Sequence, residues 1–212
     1  MKTERGSHYQ RQVFINCPFD GKYLPMLRAI VFVLKTCDYV PRCALEADSA
    51  TEVRVEKILR IINECGLSIH DISRTQLDTK SKLPRFNMPF ELGLFLGAAK
   101  LGHKRQKKEK GALILDVKPY RYQAFLSDIA GQDIRAHGND PSQAIGAVRN
   151  WLNTHSKANK VLPGKAALVT QYRRFQKQLP VMLKELQLKE AEISFVDWSK
   201  LIGIWLEATA RV

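Results

Sequence analysis

From Gln12 to His155 the chain alternates short β-branched runs with longer segments whose apolar residues recur every three or four positions. That alternation constrains the fold more than any other feature. Successive parallel strands need a helix-length crossover, and the sheet they form must then be covered on both faces. Gln12-Val-Phe-Ile-Asn16 reads as a strand and Cys17-Pro-Phe-Asp20 as a turn, with Asp20 capping a helix from Tyr23 to Cys37. Leu24, Leu27, Ile30, Val31 and Leu34 form its apolar stripe. A short strand from Val40 to Leu45 follows. Ser49-Ala-Thr-Glu52 has the spacing of a capping box for a helix carrying Val53, Val55, Ile58, Leu59, Ile61 and Ile62, closed by Gly66. Leu67–Ile72 is the third strand and Gly111–Asp116 the fourth. Tyr122–Ile129 reads as helical, Asp133–His137 as a fifth short strand, and Asp140-Pro141 as the start of a helix ending near His155.

The expected architecture is a flavodoxin-like three-layer α/β sandwich over residues 12–156, with a mostly parallel sheet of about five strands. Residues 1–11 read as a polar tail, and 157–212 as a basic linker with a helical C-terminal extension. Within the extension, Pro180 is expected to interrupt a helix from Ala167 to Leu188. A last helix carries Phe195, Trp198, Leu201, Ile202 and Trp205, a packing stripe suited to the sheet domain or to a second subunit.

At 212 residues, 45% of them hydrophobic, the chain has the material for one domain with an appendage. No apolar run is long enough to span a bilayer, and the polar start lacks the apolar core of a signal peptide, so a cytoplasmic protein without membrane contact is expected. Cys17, Cys37, Cys43 and Cys65 each sit in an apolar context without metal-ligand spacing. Buried free thiols are expected, and no metal site. A net charge of +13 favours anionic partners. Five basic residues fall between Lys104 and Lys110, and eight more between Lys157 and Lys189. No nucleic-acid recognition motif or stacking aromatic series accompanies them, so charge alone supports a nucleic-acid partner.

Parallel sheets bind ligands beyond the carboxyl ends of their strands, near a reversal of strand order. That directs attention to Cys17, Pro18, Phe19 and Asp20 after the first strand, to Glu46–Ser49 after the second, and to Asp71, Ser73 and Arg74 after the third. Neither a Gly-x-Gly-x-x-Gly nor a Walker-type loop follows the first strand. In the helical segment from Phe86 to Ala99 the one charged residue is Glu91. Its neighbours are apolar on nearly every side, so the carboxylate needs a partner or a use. The bland account is a first-turn acid favoured by the helix dipole, worth about 0.3–1 kcal/mol.

The run Arg85-Phe-Asn-Met-Pro-Phe-Glu-Leu-Gly-Leu-Phe-Leu-Gly97 resembles the Asn-x-x-x-Glu-Leu-Gly signature of nucleoside 2-deoxyribosyltransferase-like and TIR-like nucleotide-binding proteins. Ile69-His-Asp-Ile-Ser73 is similar to the third strand of that family, and Phe14-Ile-Asn-Cys-Pro-Phe-Asp20 to the first-strand entry of bacterial TIR-like proteins. The resemblance implies that Glu91 attacks or stabilises the anomeric carbon of a ribosyl group, with Asp71 as the acid for a leaving base. It implies substrate contacts from Cys17, Pro18, Phe19, Asp20, Ser73, Arg74, Asn87 and Met88. Arg42, Arg74 and Arg85 are candidate phosphate ligands on charge alone.

Three functions follow as expectations. The first is an N-glycosidase or ribosyltransferase acting on NAD or a nucleotide, needing no bound cofactor because NAD is the substrate. For this family the setting is often bacterial defence or signalling, in a homo-oligomer. The second is a non-catalytic module that binds a nucleotide or ADP-ribose-like ligand and signals through its helical tail. The third, resting on charge, is a nucleic-acid-binding accessory protein. His70 reads as structural, on a buried strand.

Overall fold

The computed structural model describes residues 8–46, 51–75, 77, 82–104, 109–155 and 161–210. Five strands and six helices order the described chain: β1 (Gln12–Asn16), α1 (Leu24–Thr36), β2 (Val40–Arg42), α2 (Arg54–Glu64), β3 (Leu67–Asp71), α3 (Asn87–Leu101), β4 (Gly111–Asp116), β5 (Ile134–Ala136), α4 (Pro141–His155), α5 (Lys165–Glu185) and α6 (Phe195–Ala210). The sheet is parallel throughout, in the order β2-β1-β3-β4-β5. That is the flavodoxin-like order, and it puts the reversal between β1 and β3. The expected α/β sandwich is therefore what the chain forms.

Alternation along each strand sorts the core into two faces. Val13 and Ile15 of β1, with Leu67, Ile69, Leu113 and Leu115, pack beneath α1 and α4. Phe14 points the other way, against Ile58, Ile61 and Ile62 of α2 and Phe95 of α3. Beside that second group, Ile72, Leu92 and Ile114 pack with Tyr122 and Ile129 from two 3₁₀ turns, Arg121–Ala124 and Ser127–Ile129, which stand where one helical stretch was expected. Both faces of β1 and β3 are buried along their whole length, as a covered parallel strand requires.

The C-terminal helices are part of this core. α5 and α6 lie over α1, where Phe32 meets the rings of Tyr172, Phe175 and Trp205 at 5.1, 5.6 and 5.9 Å. Trp198 donates its indole N–H to the Arg28 carbonyl at 3.1 Å, and the Arg28 guanidinium stands 4.6 Å from the Trp198 ring centroid. Residues 165–210 thus extend the α1 layer. Pro180 does not break α5, which continues to Glu185. Buried Leu179 and Leu183 hold the helix on both sides of the missing N–H, while Pro180 itself faces outward.

Other local expectations change with context. α2 begins at Arg54 behind Val53, so the capping box does not set its start. Ser49 lies outside the described residues, and Glu52 instead pairs with Arg60 through two 2.9 Å hydrogen bonds. Gly66 follows Cys65, the C-cap, and its absent side chain serves a close crossing: a Cβ there would lie 2.9 Å from the Tyr9 carbonyl oxygen, which accepts the Gly66 N–H. Tyr9 is itself buried, so the end of the expected tail is packed. β2 is three residues long and stops at Arg42. All four cysteines are buried and free. No described helix is long and apolar enough to cross a membrane.

Candidate active site

Glu91 sits in the second turn of α3, 5% exposed, although a carboxylate side chain ordinarily seeks water. Among the described residues its carboxylate makes no hydrogen bond and no ion pair. Burial pushes its pKa from an ordinary 4.5 up to about 7, and the positive charge of Arg54 at the start of α2 opposes the rise. A carboxyl group in this state exchanges its proton near neutrality. It is equipped to act as base, acid or nucleophile.

The first turn of α3 is pinned from below by a polar chain between the strands. Asn16, the last residue of β1, donates from Nδ2 to the Met88 carbonyl at 2.8 Å and reaches His70 Nδ1 at 3.0 Å. His70 Nε2 meets Ser68 Oγ at 3.0 Å. With Nδ1 accepting from an amide that has no lone pair to offer, the proton belongs on Nε2. Burial drives the His70 pKa down to about 3, so the ring stays neutral, with Phe14 and Phe95 edge-on around it. His70 is structural, as its buried strand position suggested. Met88 contributes its backbone carbonyl, and Asn87 is exposed at the start of the helix.

Asp71 is fully buried at the end of β3 and its oxygens are occupied. Oδ2 accepts from the Tyr23 hydroxyl at 2.5 Å, and Oδ1 from the Ser73 N–H at 2.9 Å. His137 Nε2 stands 3.0 Å from Oδ2, off the line of a straight hydrogen bond. Because His137 Nδ1 accepts the Asn139 N–H at 3.0 Å, the ring proton faces Asp71. Asp71 therefore ties β3 to the start of α1, lies against His137 after β5, and is fully buried with each oxygen accepting a hydrogen bond from within the fold. Tyr23 and His137 escaped sequence reasoning, since one lies in a turn and the other 66 positions beyond its partner.

Cys17 lies between these groups. Burial, then the charges of Asp71, Cys43, Glu91 and Asp20, raise its pKa well above the ordinary thiol value, so it is an inert thiol. Pro18 is buried, and Phe19 is partly exposed. Asp20 accepts the Tyr23 N–H at 3.0 Å and faces Arg74 at 3.6 Å. Arg42 is drawn elsewhere: it binds Gln12, Glu46 and Glu64, the last two at 2.6 and 2.8 Å. Those carboxylates leave little of the guanidinium for phosphate. Arg85 is exposed near the start of α3.

One further buried acid closes the edge. Asp116 at the end of β4 accepts both Arg121 Nε and Nη2, at 2.9 and 2.6 Å, and Arg121 also donates to the Ile72 carbonyl at 2.9 Å. Burial raises its pKa while Arg121 works against the shift. Among the described residues no cluster of histidine, cysteine and carboxylate could hold a metal ion. Of the basic run at 104–110, Lys110 is turned inward, donating to the Ile62 and Cys65 carbonyls at 2.6 and 2.7 Å beside the Phe95 ring. No family model, curated protein or solved structure matches the chain.

Proposed function

We propose that the chain binds a nucleotide across the β1/β3 reversal and that Glu91 serves cleavage of an N-glycosidic bond, by hydrolysis or by transfer to an acceptor. The carrying observation is the buried Glu91 carboxylate, without a partner among the described residues, beside the carboxyl end of β1. Such a group destabilises the fold unless a ligand uses it. The reaction breaks the bond between C1′ and the base nitrogen, whose electron pair leaves with the base. Glu91 faces the oxocarbenium-like carbon or bonds to it, and water or an acceptor hydroxyl completes the substitution and releases a proton.

The full burial of Asp71 and its internal hydrogen bonds favour NAD over a nucleoside within this reading. Nicotinamide leaves as a neutral ring without being protonated, whereas a nucleobase leaving group requires an acid. Asp71 then holds the Tyr23 and Ser73 segments in place. A second reading, a binding module without turnover, draws on the same lack of a free acid.

Incubation of the protein with NAD and with deoxynucleosides, wild type beside Glu91→Gln, tests the proposal. Nicotinamide release by the wild type and its loss in the variant is the expected result. Ligand binding with no product at high protein concentration would leave the binding module standing and remove the enzyme.

A further inference from the structure

On the α1 side of the carboxyl edge a cleft of about 260 Å³ opens between the starts of α1 and α4. Its walls include Lys22, Tyr23, Ser73, Arg74, Asn139 and Pro141. No carboxylate is among the described residues that line it. Lys22 has no ion-pair or hydrogen-bond partner among the described residues. Arg74 faces Asp20 at 3.6 Å and makes no hydrogen bond to a described residue. Ser73 is 4% exposed, and its backbone N–H serves Asp71, yet its hydroxyl has no partner among the described residues. Two cations that line one cleft repel each other, and an anion held there offsets that cost.

Size narrows the ligand. The cleft is smaller than the roughly 300–1,000 Å³ of sites that enclose a whole drug-sized molecule. It therefore takes one end of a ligand. Tyr23 lines the cleft and binds Asp71, and Cys17 feels the charges of both Asp71 and Glu91. The cleft and Glu91 thus flank the same segment, Cys17–Asp20, which a nucleotide's sugar and phosphate can straddle.

We propose that the Lys22–Ser73–Arg74 cleft is a phosphate subsite that holds the phosphoryl end of a nucleotide while its sugar reaches Glu91. The second half rests on the function proposed above; the first half does not. Lys22 and Arg74 supply charge, the Ser73 hydroxyl donates to a phosphate oxygen, and no described lining residue carries a carboxylate to repel it.

Titration calorimetry with inorganic phosphate, pyrophosphate, AMP and adenosine separates the parts. Pyrophosphate and AMP bind, AMP displaces inorganic phosphate, and adenosine binds at least about tenfold more weakly than AMP, the loss of one charge-assisted contact. Lys22→Gln and Arg74→Gln each weaken AMP by about tenfold. Both side chains reach the surface, so unchanged thermal melting accompanies that loss. Glu91→Gln leaves pyrophosphate binding intact. Failure of every phosphate-bearing probe to bind wild type overturns the subsite, as does AMP binding unaffected by either cation variant. If NAD is consumed with the same KM in Arg74→Gln and wild type, the enzyme survives and the subsite falls. If AMP binding depends on both cations while no glycosidic bond is cleaved, the subsite survives and the enzyme reading falls.

Discussion

Replacing Glu91 by Gln removes a charge from a buried position while preserving shape, and the consequence for stability depends on pH in a definite direction. The folded protein holds the Glu91 proton up to about pH 7, whereas an ordinary glutamate releases it near 4.5. Folding is therefore helped most below pH 4.5, where both states are protonated, and that help is lost as pH rises through 7. At about 1.4 kcal/mol per pH unit, the gap corresponds to about 3 kcal/mol, or about 2 kcal/mol if water reaches the carboxylate at the edge of the sheet. Gln has no such dependence. Relative to wild type, Glu91→Gln should be near neutral at pH 5 and more stable by about 2–3 kcal/mol at pH 8, a rise of about 4–12 °C in Tm for a chain of this size. Urea denaturation followed by the fluorescence of the three tryptophans at pH 5, 6, 7 and 8 measures it, other titrating groups cancelling between the two proteins. A difference that is constant across pH, or a variant less stable at pH 8, would refute the claim that burial destabilises the ionised Glu91 carboxylate.

Four further outcomes follow from the same geometry. If the ionised form of Glu91 acts on NAD, kcat/KM should climb with pH to a plateau above about 7, and nicotinamide release assayed from pH 5 to 9 reads this directly. Asn16→Ala strips a donor from both the Met88 carbonyl and His70, and a loss of about 2–4 kcal/mol in urea denaturation is expected. Tyr23→Phe deletes the hydroxyl bound to buried Asp71; it should cost about 1.5–3 kcal/mol by the same measurement, and a neutral result would contradict the tie between β3 and α1. Phe175→Ala empties the centre of the α1–α5–α6 aromatic group and should destabilise the whole domain by about 3–5 kcal/mol in one cooperative transition. Two separate transitions would instead make residues 165–210 an independent unit.

Much of the fold was written locally. Strand-length apolar runs and 3.6-period stripes place α1, β3, β4 and α4 within a residue or two, because each element's own periodicity selects the face it buries. Glu91 was also legible, as a lone charge in a helix apolar on nearly every side. What periodicity does not carry is which distant groups meet. Pro180 reads as a helix breaker, but tertiary packing around Leu179 and Leu183 outweighs one lost N–H. Glu52 reads as a capping partner, but Arg60 on the next turns of α2 takes it. Arg42 reads as a free cation, yet Glu46 and Glu64 converge on it once β2 and α2 dock.

The sequence by itself determined that a covered parallel sheet would form and that a single carboxylate would lie in an apolar helix beside it, since side-chain period and hydrophobicity are properties of neighbouring residues. Only the tertiary structure decided how each acid is used. Asp71 and Glu91 lie 20 positions apart with similar prospects on paper. Folding brings Tyr23, Ser73 and His137 to Asp71, while among the described residues nothing hydrogen-bonds to Glu91. The difference is one of long-range convergence: the Tyr23 hydroxyl comes from a distant segment to join the Ser73 N–H on one carboxylate, with His137 brought beside it, and for the other, burial outweighs the charge of Arg54 and lifts its proton affinity to neutrality.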